Sequence, residues 1–274
     1  MQKNLILPLL LCSLCACVDL PPGTVPGAGN AVAPVQSPFK GLDPGYKTEE
    51  TAHFKVDAYT SEDASLYAQE CEQDYTRIMQ DLGLYSFVPA EPYNVVMYRD
   101  AAEYHSKTGQ PDWSGGATYG NALLLYESPT LTPIMAHEMT HLIFNDFMGL
   151  SQASQLRWLN EGAAVYEETR ADPSDAAQYQ ARVNTTVAPN PIPFSQMVNL
   201  APQDESQQNV DRWYAQVGSV VGFMIRQGGS FNFSVFLTKL RSGESVDTAI
   251  SETYGTMWHK LSDVENAWKL EIQS

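Results

Sequence analysis

The sequence predicts an α+β fold, with a small mixed sheet and helices in the N-terminal half and a mostly helical C-terminal half. Strand-like runs, either alternating or continuously apolar, occur at 53–59, 93–98 and 116–126. Apolar residues recur at helical spacing from 61 to about 82 and again from 131 to 148. Beyond that central helix the pattern is mainly helical, so the predicted strands all precede it.

The boundaries of these elements have their own signals. Ser61 is a helix-capping residue type and is expected to begin the first helix. A short helix is predicted over 101–107. The run 116–126 contains glycines that allow close backbone approach, and it is either the edge strand of the sheet or a bulged hairpin. The central helix is expected to be capped by Thr132, with a proline directly after it, and to end at Gly149.

The central helix carries the motif H-E-x-x-H over 137–141. Residues four apart lie on one face of a helix, so His137 and His141 can direct their imidazoles at one metal ion. Glu138 follows the first of them and can reach a water on that metal, which is the minimal equipment for metal-assisted hydrolysis. The alternative is a pair of hydrogen-bonded histidines near the core.

A second helix supplies a possible third ligand, Glu161, far enough after His141 for one helix to end and another to return. Residues 158–168 read W-L-N-E-G-x-A-x-Y-x-E, which resembles the third-ligand helix of gluzincin metallopeptidases, including the aminopeptidase-N-like enzymes. From about 50 to 274, the chain is most similar to the small peptidase-MA-like bacterial proteins. That resemblance implies a zincin-like fold with a zinc cleft between its halves and Glu161 as the third zinc ligand. Two histidines and one carboxylate leave a position for water, as in catalytic zinc sites.

The resemblance also implies roles around the metal. Zn²⁺ on the three ligands would polarise the scissile carbonyl, with Glu138 as the general base. It makes Tyr214 the donor to the oxyanion, with His259 as a rival and a tyrosine packed in the core as the alternative. Metal-bound imidazoles usually donate their other N–H to an oxygen, and the candidates are Asn160 and Glu168. In zincins the edge strand pairs with substrate, which implies substrate binding at Gly116 and Ala117.

Two departures from related families bear on specificity. Val165 stands where thermolysin-like enzymes have an acidic residue one turn after the glutamate ligand. The segment 116–121 lacks the G-x-M-E-N pattern and has no glutamate to bind a free substrate amine. We therefore expect an endopeptidase that acts on peptide or protein substrates, although a non-peptide amide substrate is also compatible with the sequence.

The first 48 residues have the organisation of an exported lipoprotein. A lysine and a short apolar run form a predicted signal peptide over 1–16, too short to span a bilayer stably. Leu14-Cys15-Ala16-Cys17 resembles a bacterial lipobox, which implies cleavage before Cys17 and lipidation of its sulfur; an ordinary secretory signal is the alternative. Residues 17–48 are rich in Pro and Gly and predict a flexible tether. The peptidase domain would then span 49–274, lipid-anchored on the periplasmic or cell-surface side of a bacterial membrane.

Cysteine content and charge narrow the classes of function. Three of the four cysteines precede residue 18, so the domain keeps only Cys71 and cannot form an internal disulfide. Cys71 is predicted to be a buried, small apolar residue. Without Lys3, the 16 basic residues become 15 against 32 acidic ones, a net charge of −17 with neutral histidines. Such a charge argues against nucleic acid as a partner.

The C-terminal half is predicted to be helical apart from one long segment. Residues 171–210 contain several Pro, Asn and Gln and are expected to form a loop or lid. Its expected apolar anchors are Ile192, Phe194 and Met197. Asp211 is expected to cap the next helix, which ends at Gly228. Further helices are predicted over about 232–241 and 245–254, with a last one that ends near 272.

We therefore predict zinc-dependent peptide hydrolysis by a lipid-anchored enzyme with Zn²⁺ as its cofactor. The alternative is a catalytically silent metal-binding or structural surface lipoprotein that acts through protein–protein contacts. The intact Glu138 counts against the silent alternative. The sequence leaves the oligomeric state open.

Overall fold

A computed structural model describes residues 39–200 and 205–273. Within these ranges the α+β prediction is confirmed, because a small mixed sheet is followed by a mostly helical remainder. The strands are β1 (Lys47–Glu50), β2 (Phe54–Ala58), β3 (Tyr93–Tyr98), β4 (Gly116–Tyr119) and β5 (Ala122–Tyr126). The predicted signal peptide, Cys17 and the tether up to residue 38 lie outside the described residues.

The sheet has the strand order β1-β2-β3-β5-β4, which makes β4 an edge strand. β2, β3 and β5 run parallel to one another, whereas β1 and β4 are antiparallel to their neighbours. The hairpin from β4 to β5 pairs regularly from Gly116–Leu125 to Tyr119–Ala122. Its turn begins at Gly120, whose φ of 59° is left-handed and favours glycine. The edge-strand prediction for 116–126 is therefore confirmed for 116–119 only, since 122–126 is an interior strand. The segment is a hairpin, as in the alternative prediction, but its pairing has no bulge.

Helices account for most of the remaining described chain. They are α1 (Ser61–Asp81), α2 (Ala101–Thr108), α3 (Leu131–Met148), α4 (Leu150–Gln155), α5 (Arg157–Ala171), α6 (Pro173–Arg182), α7 (Phe194–Met197), α8 (Gln207–Gly228), α9 (Ser230–Arg241), α10 (Val246–Tyr254) and α11 (Leu261–Ile272). A π-helical turn, Val183–Val187, continues α6.

Three predicted caps are displaced by one to a few residues. Thr60 rather than Ser61 is the N-cap of α1, because its side chain accepts the N–H of Asp63. The central helix α3 begins at Leu131, so Thr132 lies inside its first turn, whereas its predicted end at Gly149 is confirmed. Asp211 also lies inside its helix, since α8 begins four residues earlier with Ser206 as N-cap.

Both faces of the sheet are covered, which explains the nearly continuous apolar run of β3. Val95 and Met97 belong to the main core with α1 and α3. Val96 and Tyr98 face the other way and form a smaller cluster with Tyr104 of α2. The main core fixes α3 against one face of the sheet and so positions the histidine motif.

The described end of the predicted tether contacts the domain. Phe39 and Leu42 pack against the smaller cluster, and the hydroxyl of Tyr98 donates to the carbonyl of Lys40 at 2.8 Å. The expected boundary between residues 48 and 49 falls inside β1. Residues 39–42 of the predicted tether therefore pack against the domain.

The prediction of a loop over 171–210 was largely wrong. This segment contains α6, the π-helical turn and α7. The three expected anchors are buried, which confirms that part of the prediction: Ile192, Phe194 and Met197. Gln216 of α8 is fully buried and bonds both backbone groups of Ile192, accepting from its N–H at 2.7 Å and donating to its carbonyl at 2.6 Å. The outer faces of these helices are polar, so the apolar periodicity of the segment is weak. The helices are stabilised by packing on α8 instead.

Candidate metal centre

The packing of α3 against α5 brings two imidazoles and one carboxylate together. The Nε2 atoms of His137 and His141 lie 3.1 Å apart. The Oε2 atom of Glu161 lies 3.8 Å from the first and 3.4 Å from the second. All three side chains are buried, and no other group of three metal-binding side chains meets this closely in the part of the chain that the structure describes. The sequence motif and Glu161 thus meet at one point.

Oxygen atoms on α5 orient both imidazole rings. His137 Nδ1 lies 2.9 Å from Glu168 Oε2, and His141 Nδ1 lies 2.8 Å from Asn160 Oδ1. A carboxylate or amide oxygen only accepts, so each Nδ1 carries the proton and donates it. In a neutral ring the Nε2 atom then presents its lone pair to the shared point. These are the contacts that the sequence analysis expected of Asn160 and Glu168.

The donor set fits a divalent cation. Glu161 Oε2 is buried and has no hydrogen-bond partner within the described chain. An orphaned buried carboxylate oxygen is costly, and it faces two imidazole nitrogens. Tetrahedral ligands at zinc–ligand distances of about 2.0–2.1 Å lie roughly 3.4 Å from each other, close to the observed spacings. A cation at this point would neutralise the carboxylate and share all three lone pairs.

The charge around His141 is consistent with a place for a cation. Burial lowers the pKa of His141, but the carboxylates of Glu161 and Glu138 outweigh it and raise the pKa to about 9. The two carboxylates therefore favour a positive charge beside them, which either a proton on His141 or a metal cation supplies. The two compete, because a ligating imidazole must be neutral.

Glu138 is fully buried beside the metal-binding residues and is covered by the edge strand. A Cβ atom on Gly116 would lie 3.2 Å from Glu138 Cγ and 2.7 Å from Leu125 Cδ2, so the glycine allows β4 to lie this close to α3. Two residues on, the hydroxyl of Thr118 lies 2.9 Å from the carbonyl of Glu138 and 3.2 Å from its Oε2. Ala117 lies between them on β4 and is partly buried.

Helix α8 supports α5 from the side of Gly162, the residue after Glu161. A Cβ atom there would meet the carbonyl of Val217 at 2.7 Å. Tyr214 lies on α8 one turn before Val217 and is buried, with its ring 5.1 Å from that of Trp213. It therefore belongs to the part of α8 that runs beside the start of α5.

The other histidines and the cysteine have different surroundings. His259 lies on the exposed turn between α10 and α11, where its N–H donates to Asp263. His53 pairs with Glu72, and the Nδ1 of His105 lies 3.2 Å from a backbone carbonyl, so neither belongs to the buried donor set. Cys71 is fully buried, as predicted, and burial raises the pKa of its thiol. A thiolate nucleophile is therefore disfavoured at this position.

Two residues that contact this centre, Asn145 and Thr118, were not predicted from the sequence. Asn145 accepts from the amide of Asn160 at 3.0 Å and so holds the oxygen that faces His141. It lies four residues after His141, so the helical spacing could have identified it. Thr118 is different, because no local pattern links a strand threonine to a helix glutamate twenty residues later.

A protein-family model supports the interpretation of this geometry. The model of the peptidase MA superfamily matches residues 71–274, which is most of the chain. The chain belongs to the peptidase MA superfamily. This superfamily is typically metal-dependent, and as a peptidase family it implies peptide or protein substrates. No curated protein matches the sequence.

The match to the peptidase MA superfamily begins inside α1, so it includes α3, α5 and α8, the helices that carry the candidate centre, whereas β1 and β2 precede it. Among the described residues, no helix is long and apolar enough to cross a membrane.

Proposed function

We propose that this protein is a zinc-dependent peptidase of the gluzincin type, with His137, His141 and Glu161 as the metal ligands. The observation that carries the proposal is the convergence of three buried lone-pair donors, of which Glu161 Oε2 has no other partner. Zinc is the metal that best fits two imidazoles and one carboxylate. Bound there, it would supply Lewis acidity and lower the pKa of water to near neutrality.

Glu138 is the proposed general base. It is buried, directly follows one ligand in the chain and lies under the edge strand. Its carboxylate takes a proton from the attacking water and passes it to the amine of the leaving product, so the residue ends the cycle ionised as it began. Glu168 and Asn160 hold the two imidazoles so that each Nε2 keeps its lone pair for the metal.

Tyr214 is the proposed donor to the oxyanion. Its position on α8, one turn before the residue that meets Gly162, supports this role. His259 is the weaker candidate, because it is exposed. The residue before it, Trp258, packs on Phe223, which lies more than two turns after Tyr214 on α8. Replacing Tyr214 with Phe should lower kcat about 10- to 1,000-fold and leave the metal content unchanged.

The proposed substrate is an extended peptide that adds to the sheet beside β4, near Gly116 and Ala117, in the cleft between the sheet and the C-terminal helices. β4 is an edge strand that runs above Glu138, and an extended peptide can add to such an edge. A groove of about 330 Å³ lies at the hairpin turn, where Gly120 and Asn121 line it together with Asn145. The absence of a glutamate in 116–121 favours endopeptidase over aminopeptidase action.

We further propose that Cys17 is lipidated and anchors the exported domain to a bacterial membrane. The lipobox-like sequence before it supports this proposal. A Cys17→Ser variant should move from the membrane fraction to the soluble fraction, and retention of that variant on membranes would contradict the proposal.

Metal analysis and a peptide-cleavage assay test the proposed activity. Wild-type protein should contain near-stoichiometric zinc, whereas Glu161→Ala should lose most of it. Glu167→Gln is the matched control, since Glu167 is a buried glutamate on the same helix outside the donor set. Glu138→Gln should keep the zinc and lose cleavage of a peptide library. Wild-type protein that binds no metal even after zinc addition would overturn the proposal.

A further inference from the structure

The edge strand β4 and the helix α3 are linked at one point by a side chain. Thr118 is partly buried on β4, and its hydroxyl lies 2.9 Å from the carbonyl oxygen and 3.2 Å from Oε2 of Glu138. Gly116, on the same face of the strand, removes the side chain that would otherwise hold β4 away from Glu138. One residue of the edge strand therefore contacts both the backbone and the carboxylate of the same glutamate.

The bond to the carboxylate restricts the last side-chain torsion of Glu138. The last torsion of a glutamate has broad, roughly twofold preferences, so the rotamer alone does not fix the plane of the carboxylate. A hydroxyl that donates to Oε2 makes a charge-assisted bond and fixes that plane. The hydroxyl has one proton, so at any moment it donates to the carboxylate or to the carbonyl, and both bonds hold Thr118 in the same place.

We infer that Thr118 is a positioning residue that aligns the carboxylate of Glu138 and couples it to the strand on which the peptide substrate is held. This inference rests on the proposed peptidase activity, in which Glu138 acts as the base and β4 binds the substrate. A peptide paired with β4 moves with that strand. Because Thr118 fastens the strand to Glu138, the scissile bond and the base keep a constant relative position.

A purely structural role would have different consequences. If Thr118 only fastened β4 to α3 through the carbonyl of Glu138, its loss would loosen the strand and weaken substrate binding, which raises KM. If it aligns the carboxylate, its loss lowers kcat and leaves KM nearly unchanged. Thr118→Val removes the hydroxyl and keeps the branched shape, whereas Thr118→Ser keeps the hydroxyl.

The experiment compares the zinc-loaded full chain as wild type, Thr118→Val and Thr118→Ser. Thr169→Val is the control, since this partly buried hydroxyl donates to a helix carbonyl on α5 at 2.8 Å and does not touch Glu138. Thr118→Val should lower kcat about 10- to 100-fold, with KM within about threefold. Thr118→Ser should recover most of that loss, and Thr169→Val should resemble wild type. Zinc content should be unchanged in all four proteins.

A second readout does not depend on turnover. In crystal structures of the metal-free proteins, the carboxylate of Glu138 should keep one orientation in wild type and Thr118→Ser, and rotate or become disordered in Thr118→Val. An active wild type with an equally active Thr118→Val overturns the inference and leaves the proposed activity intact. A rise in KM alone, with Glu138 unmoved, overturns it in favour of the structural role. A wild type that binds no zinc and cleaves no peptide overturns the proposed activity itself, and the inference with it.

Discussion

Gly162→Ala is the substitution whose outcome the structure defines most sharply. Gly162 is buried on α5, directly after Glu161, where α8 crosses. A Cβ atom at this position would lie 2.6 Å from Val221 Cγ2 and 2.7 Å from the carbonyl oxygen of Val217. The side chain of Val221 has little room to turn in the core, and the carbonyl belongs to a helix backbone, so the two helices must separate.

Two opposing effects set the size of the change. Alanine is favoured over glycine inside a helix by about 1 kcal/mol. Overpacking a well-filled core costs about 1–3 kcal/mol, and a clash with backbone belongs at the upper end of that range. The net loss of unfolding free energy should therefore be about 2 kcal/mol. For a domain of this size that corresponds to a Tm lower by roughly 4–8 °C.

Thermal and urea unfolding of the metal-free protein measure this loss. Zinc affinity, measured by chelator titration, should also fall, because a shift of residue 162 displaces the adjacent Glu161. Gly222→Ala is the matched control on α8. Its Cβ would meet the flexible end of Arg226 at 2.9 Å and the ring edge of Tyr166 at 3.0 Å, so its destabilisation should be clearly smaller. A Gly162→Ala protein as stable as wild type would refute the reasoning.

Three further predictions concern the polar side chains of Glu167, Glu168 and Gln216. Burial raises the pKa of Glu167 to about 7, so its folded form holds a proton that the unfolded chain releases above about 4.5. The unfolding free energy of the wild type therefore falls as pH rises from 4.5 through 7. In urea unfolding between pH 5 and pH 8, the stability of Glu167→Gln relative to wild type should rise with pH by up to about 3 kcal/mol. A difference independent of pH would contradict this. Glu168→Ala removes the oxygen that orients His137 and should weaken zinc binding about 10- to 100-fold in a chelator competition, with metal-free stability nearly unchanged; equal affinity would show that the ring needs no such support. Gln216→Leu leaves both backbone groups of Ile192 unpaired, so it should lower the free energy of unfolding, measured in urea, by about 2–4 kcal/mol. Proteases should then cleave first within residues 188–200. Unchanged protease resistance would show that these two hydrogen bonds do not hold the segment in place.

Local signals predicted the elements that depend on local geometry. The strand β3, the helices α1 and α3, and the end of α3 at Gly149 follow from patterns within about ten residues. The caps were less accurate: several polar residues near Ser61 and Thr132 can cap a helix, and only the folded backbone selects one. The segment 171–210 was mispredicted, because its helices are polar on their outer faces and obtain their stability from contacts with α8.

The sequence by itself determined which atoms can bind a metal and that two of them share a helix face, because residues four apart on a helix are neighbours whatever surrounds them. It also identified Glu161, Asn160 and Glu168 through a motif on a second helix. Only the tertiary structure decided that Glu161 Oε2 meets both Nε2 atoms, and that Thr118 lies over Glu138. Those contacts depend on how α5 and β4 pack against α3, and packing is set by the shapes of surfaces distant in the chain, which no local pattern records.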